Sequence, residues 1–143
     1  MDATQIRIQL LTQHAELRAL IEQARAAIGQ ASMCEPERGE VLAASVGRLA
    51  SALRAHNACE EQLLKGILAT VDAWGPARAE IMDERHTAEH KELHAELVDA
   101  SLDRERVRRL LDRLLDHMAY EEKSFLNEDV LREDSIVINA FGG

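Results

Sequence analysis

Apolar residues recur along the chain at alternating spacings of four and three, the pattern of helices that each bury one stripe. In the first stretch Leu10, His14, Leu17, Ile21, Ala24 and Ile28 keep this rhythm. In the second, Leu42, Val46, Leu49, Leu53, His56, Glu60, Leu63 and Ile67 do so. The third places His86, His90, Leu93, Leu97 and Ala100 on one stripe, and the fourth Val107, Leu110, Leu114, His117 and Glu121, flanked by Leu111, Met118 and Phe125. Breaks at Gly29 to Pro36, at Trp74-Gly75-Pro76 and around Ser101 to Asp103 predict helices near 4–29, 36–73, 77–100 and 103–131. Short connections make consecutive helices antiparallel neighbours. The expected architecture is therefore all-α, an antiparallel up-down-up-down four-helix bundle.

The 143 residues suit one domain, with the bundle over 1–133 and an apolar, β-branched tail over 134–143. The tail is expected to fold back over the bundle, with partner docking or oligomer contact as the lesser reading. Seven Gly and two Pro are sparse punctuation, in keeping with long helices. With 26 acidic against 17 basic side chains and a net charge of −9, the chain lacks the basic footprint that nucleic acid requires. No apolar run approaches the ~20 residues that span a bilayer, and the N-terminus lacks a signal pattern, so the expected location is the cytoplasm, away from membranes. Cys34 and Cys59 make neither a disulfide framework nor a Cys-rich zinc site.

Histidine and glutamate stand where leucines are expected near the middle of every stripe. An ionised carboxylate in an apolar seam costs several kcal/mol unless something pairs with it, and no Lys or Arg occupies a seam position beside Glu60 or Glu121. His56/Glu60, His86/His90 and His117/Glu121 are each four apart, so each pair lies one above the other on its helix and can converge on one ion. Counting rise per residue brings these pairs and His14 into one layer within a turn or two. Seven such ligands exceed a tetrahedral zinc site, whereas imidazole with carboxylate suits iron or manganese, and two bridging-capable carboxylates suit a pair of ions. The alternative is a metal-free network in which each histidine bonds a neighbouring glutamate. The set differs from the Glu-x-x-His pattern of ferritin-like bundles. The halves also echo each other: His56-Asn-Ala-Cys-Glu60-Glu61 parallels His117-Met-Ala-Tyr-Glu121-Glu122, and His14-Ala-Glu-Leu parallels His90-Lys-Glu-Leu.

An isolated His, then His-x-x-x-Glu, His-x-x-x-His and His-x-x-x-Glu on four successive helices resembles the hemerythrin-like, or HHE cation-binding, domain over about 4 to 131. The resemblance implies a four-helix bundle holding two non-heme iron ions, oxo- or hydroxo-bridged, that bind or sense dioxygen or a related diatomic such as nitric oxide. Enzymatic action on nitric oxide or peroxide, and iron handling, are the alternative roles it implies. Carried over by motif, His86, His90 and His117 resemble the ligands of one iron, and His14 and His56 those of the other, with Glu60 and Glu121 as bridges. Oxygen-carrying hemerythrins close the last motif with Asp five residues after its His; here Glu follows by four, as in the HHE branch.

Other polar residues border this set. His94 sits at the edge of the third stripe and is expected outside the ligands. Glu61 and Glu122 are expected beside the cluster or in solvent. Cys59 and Tyr120 each precede a glutamate and read as a small hydrophobe and an interface aromatic, with a redox-active thiol or a phenolate ligand as the sharper alternatives. The oligomeric state is not encoded in any motif.

Overall fold

A computed structural model describes residues 1–30, 36–71, 73–100 and 103–131, so the 134–143 tail and its expected return over the bundle lie outside the described residues. The described chain is helical, without strands: α1 (Ala3–Gln30), α2 (Pro36–Val71), α3 (Gly75–Ile81), a π-turn (Met82–His86), α4 (Thr87–Asp99) and α5 (Arg104–Ser124). Because α3, the π-turn and α4 run on without a break, the described residues form four helical segments, the third carrying one widened turn in its middle.

Local chemistry sets the ends. Asp2 Oδ1 accepts from the Gln5 amide at 2.8 Å while Gln5 Oε1 accepts from the Asp2 amide at 3.0 Å, a reciprocal cap that starts α1. Asp103 caps α5 by accepting from the Arg106 amide at 3.1 Å. Pro76 occupies the first turn of α3, where its missing N–H costs nothing. Gly75 is needed for another reason: a Cβ there would sit 2.0 Å from the Leu68 carbonyl oxygen of α2. We expect Gly75→Ala to force the α2 and α3 backbones apart and to cost roughly 1–3 kcal/mol in denaturant unfolding. An unchanged midpoint would show that this corner yields freely.

α1 packs against α2 and α5, and α4 packs against α2 and α5. Side-chain bonds fix the α1/α5 register, with Arg7 Nε donating to the Leu126 carbonyl at 2.9 Å and Arg25 meeting Asp112 at 2.7 Å. Along α4 and α5, Asp99 meets Arg106, Glu96 meets Arg113 and Glu89 faces His117.

Two elements differ from the sequence pattern. The fourth helix ends at Ser124 rather than 131. Asn127 Oδ1 takes the Val130 amide at 2.8 Å, and the chain turns. A continued helix would spread Phe125, Leu126, Val130 and Leu131 round its circumference, whereas the turn buries all four. In α2 the buried stripe past Glu60 runs through Leu64 and Leu68, leaving Leu63 and Ile67 half-buried. A strict 4-3 repeat drifts on an α-helix of 3.6 residues per turn, and a 4-4 step keeps the far end of this 36-residue helix facing its neighbours.

The core is divided. One apolar cluster gathers Leu17, Ile21, Leu49, Leu53, Leu93, Leu97, Leu110 and Leu114 with their neighbours. The other gathers Ile6, Leu10, Leu64, Leu68, Met82, Phe125 and Leu126. Between them in sequence lie His14, His56 and Glu60, His86 and His90, and Glu121, with His117 next to Met118 at the edge of the first cluster. Among the described residues no helix is long and apolar enough to cross a membrane.

Candidate metal centre

All seven of these side chains are buried, and Glu60 and Glu121 have no solvent exposure at all. The five imidazoles turn Nε2 toward the two carboxylates. Glu121 is the hub: its oxygens lie 2.8 Å from His14 Nε2, 3.8 Å from His56, 2.7 Å from His86 and 3.1 Å from His90, and it contacts His117 Nε2. Glu60 reaches His86 at 3.2 Å, His90 at 3.3 Å and His56 at 3.7 Å. The rings form two sets. His14 and His56 meet edge-on with centroids 4.8 Å apart; His86 stacks on His117 at 4.7 Å and tilts against His90 at 4.2 Å. Correspondingly, two groups of atoms converge closely enough to hold a metal ion, His86/His90/His117/Glu121 and His14/His56/Glu121.

The opposite ring nitrogens are tied outward. His56 Nδ1 bonds Gln13 Oε1 at 2.9 Å, His14 Nδ1 bonds Glu122 at 2.9 Å, and His90 Nδ1 bonds Glu61 at 3.4 Å. His117 Nδ1 faces Glu89 Oε2 at 3.4 Å. Three hydrogen bonds and one unaligned approach run round the layer: Gln13 of α1 bonds α2, Glu61 of α2 bonds α4 and Glu122 of α5 bonds α1, while Glu89 of α4 faces α5 at His117 Nδ1 without hydrogen-bond alignment. Each acceptor is an oxygen that offers no proton, so each bonded Nδ1 carries the hydrogen and, in a neutral ring, leaves Nε2 as a bare lone pair. That is the orientation in which metal-bound histidines are held. Arg18 in turn grips Glu122 at 2.7 Å.

Several inward atoms lie near one another without the alignment of a hydrogen bond. His14 Nε2, His56 Nε2, His117 Nε2, Glu60 Oε1 and Glu121 Oε2 are buried with no such partner. Lone pairs of imidazole facing carboxylate oxygens repel unless a cation or protons stand between them. The donor set, nitrogen with carboxylate oxygen and no sulfur, fits a borderline transition ion.

Protons can play that part in the absence of metal. Burial disfavours charged imidazolium, yet the bonds to Glu121 and Glu60 outweigh it and raise His86 to about 9 and His90 to about 10. His14 is raised too: burial opposes the charge, but Glu121 and Glu122 favour it. Burial would push Glu121 up, but the surrounding His117, His14, His56 and His86 hold it well below the usual carboxylate range. Glu60 is lowered by His86 and His90 against burial and the adjacent Glu121 charge. Glu122 is lowered as well, by Arg18 and His14 against partial burial.

The bordering residues separate cleanly. Glu61 and Glu122 bond cluster histidines. His94 is half-buried and belongs to neither convergent group. Cys59 is half-buried and accepts from Gln9 Nε2 at 3.2 Å. Tyr120 is 51% exposed and meets Phe125 edge-on at 6.0 Å. Gln13 and Glu89 are contributors that the stripe pattern does not mark. Their signal is adjacency, since each of the four outer acceptors directly precedes or follows a cluster residue. A neighbour about 100° round the helix from an inward side chain faces the adjoining helix. We expect Glu122→Ala to weaken metal binding about 10–100-fold while His94→Ala leaves it unchanged, read by competition with a chromophoric chelator. Equal losses for both variants would refute the role of the outer acceptors.

No protein-family model, curated protein or solved structure matches this chain.

Proposed function

We propose that the protein is a hemerythrin-like, antiparallel up-down-up-down bundle holding two non-heme iron ions, at which dioxygen or a related diatomic such as nitric oxide binds. The observation that carries this reading is the sharing of Glu121 between two convergent histidine groups, one of three imidazoles and one of two. Glu121, which belongs to both groups, would tie two ions together, with Glu60 reaching His56, His86 and His90 beside it. When bound, two irons would supply the electrons that reversible binding of a diatomic requires. The group with fewer histidines, His14 and His56, would leave its ion an open position.

The chain's own residues do the rest. Outer acceptors hold the rings with Nε2 inward. The two apolar clusters above and below the layer exclude bulk water. The proton-bearing groups next in sequence to the bridging acids are turned away, Cys59 toward Gln9 and Tyr120 toward solvent. This favours binding over cleavage of a bound molecule.

Elemental analysis of protein from iron-replete cells, with absorption spectra under argon, oxygen and nitric oxide, tests the reading. The expected result is two irons per chain and a spectrum that changes with the gas and returns on its removal. Sustained turnover of peroxide or nitric oxide would favour the enzymatic role, and more than two irons per chain iron handling. A metal-free protein, or a spectrum indifferent to both gases, would overturn it.

A further inference from the structure

Apart from the histidines the chain carries four aromatic rings, one Trp, one Tyr and two Phe. Two of them stand in line between solvent and the polar layer. Tyr120, half exposed, meets Phe125 edge-on with centroids 6.0 Å apart. Phe125 is buried and meets His86 edge-on at 5.6 Å. Both contacts fall in the range at which aromatic pairs touch edge to face. His86 in turn stacks on His117 at 4.7 Å and turns Nε2 to Glu60 and Glu121. Among the described residues Phe125 is the one aromatic side chain in the two apolar clusters. Tyr120 also lines an open cleft of about 210 Å³ with Glu89, Arg113, Asp116 and His117. A phenol that gives up an electron must also give up its O–H proton, and this cleft offers water and carboxylates to take it.

We propose that Tyr120 is an oxidation site: through Phe125 and His86 it supplies an electron to the centre when peroxide arrives there, and it becomes a neutral tyrosyl radical at the surface. The inference rests on iron occupying the centre. Reducing hydrogen peroxide to two waters takes two electrons and two protons. In a pair with one ferrous and one ferric ion, the ferrous ion gives one electron and becomes ferric, and Tyr120 gives the other. The O–O bond breaks, two protons from solvent complete the waters, and the phenolic O–H of Tyr120 breaks as its proton leaves into the cleft. Phe125, which has no group that is easily oxidised, is the spacer between donor and ligand. The oxidising equivalent thereby leaves the interior, where Met82 and Met118, thioethers open to sulfoxide formation, sit in the clusters beside the layer.

The test uses the full-length chain after its iron content and gas-dependent spectrum have been measured. The centre is poised with ferricyanide at one oxidised iron per pair, given hydrogen peroxide and frozen for electron paramagnetic resonance. The expected result is a tyrosyl signal that narrows when the chain carries ring-deuterated tyrosine; with a single Tyr in the sequence, that signal belongs to Tyr120. On thawing, radicals on two exposed rings are expected to join by a carbon–carbon bond, giving dityrosine fluorescence from a covalent dimer. Tyr120→Phe, at an exposed position, is expected to lose both signals and to raise sulfoxide at Met82 and Met118, read by mass spectrometry. Phe125→Leu, or Phe125→Ile should the leucine variant lose iron, is expected to lower the radical yield at least ten-fold. No radical from the iron-loaded chain, a radical indifferent to deuterated tyrosine, or an undiminished yield in the Phe125 variant would each overturn the proposal. Such a failure, in protein whose iron and gas response are established, leaves the reading of the centre standing, whereas a chain without iron overturns both.

Discussion

Glu121→Ala is expected to abolish metal binding at both groups, whereas Glu60→Ala is expected to leave an ion at one of them. The two acids look equivalent in the sequence, each four residues after a histidine. In the fold Glu121 contacts every imidazole of the cluster, while Glu60 reaches only His56, His86 and His90. Losing an outer partner of a metal-bound histidine already costs about 10–100-fold in affinity, so losing the shared carboxylate should exceed about 100-fold. Without metal the variant should also be less stable, because His86 and His90 lose the carboxylate that most favours their charged form against burial. Elemental analysis after dialysis, with denaturant unfolding in chelator, measures both effects. Equal metal loss from the two variants would contradict the hub role of Glu121.

Metal loading is expected to reverse the pH dependence of stability. In the metal-free protein His86 and His90 are raised from 6.5 to about 9 and about 10. Their contribution is therefore complete below about pH 6.5 and is lost as pH rises through 9 to 10. Glu60 and Glu121 are lowered from 4.5, so theirs is present above that value and lost as pH falls through their folded values. Maximum stability falls between these limits, and the decline toward alkaline pH should amount to a few kcal/mol. Metal binds the deprotonated rings and displaces those protons, so affinity rises over the same range. With free metal at about a thousand times its Kd, each ion adds about 4 kcal/mol and turns the falling limb upward. Thermal melts from pH 6 to 10, in chelator and in excess ferrous or manganous ion, give the comparison. Parallel curves would mean that metal does not occupy the histidine cluster.

Much of this centre is legible in one dimension. His14, His56, His86, His90, His117, Glu60 and Glu121 stand out because they interrupt 4-3 stripes, and a helix converts that spacing directly into a shared face. The same arithmetic marks Leu10, Leu17 and Ile21, and Leu93 and Leu97, as core, where they lie. It loses its grip at ends and over long distances. Asn127, which takes the backbone out of α5, reads as an ordinary polar residue, and the drift of α2 to Leu64 and Leu68 accumulates from a mismatch of a tenth of a residue per turn.

The helices, their inward stripes and the polar layer follow from sequence alone because periodicity is local: which side chains share a face depends only on the chain between them. The unequal roles of Glu60 and Glu121, the split of the imidazoles into two groups and the run of outer acceptors from Gln13 through Glu61, Glu89 and Glu122 depend on which helix lies beside which. Those relations join residues on separate helices, and only the packed structure sets their azimuth and height against one another.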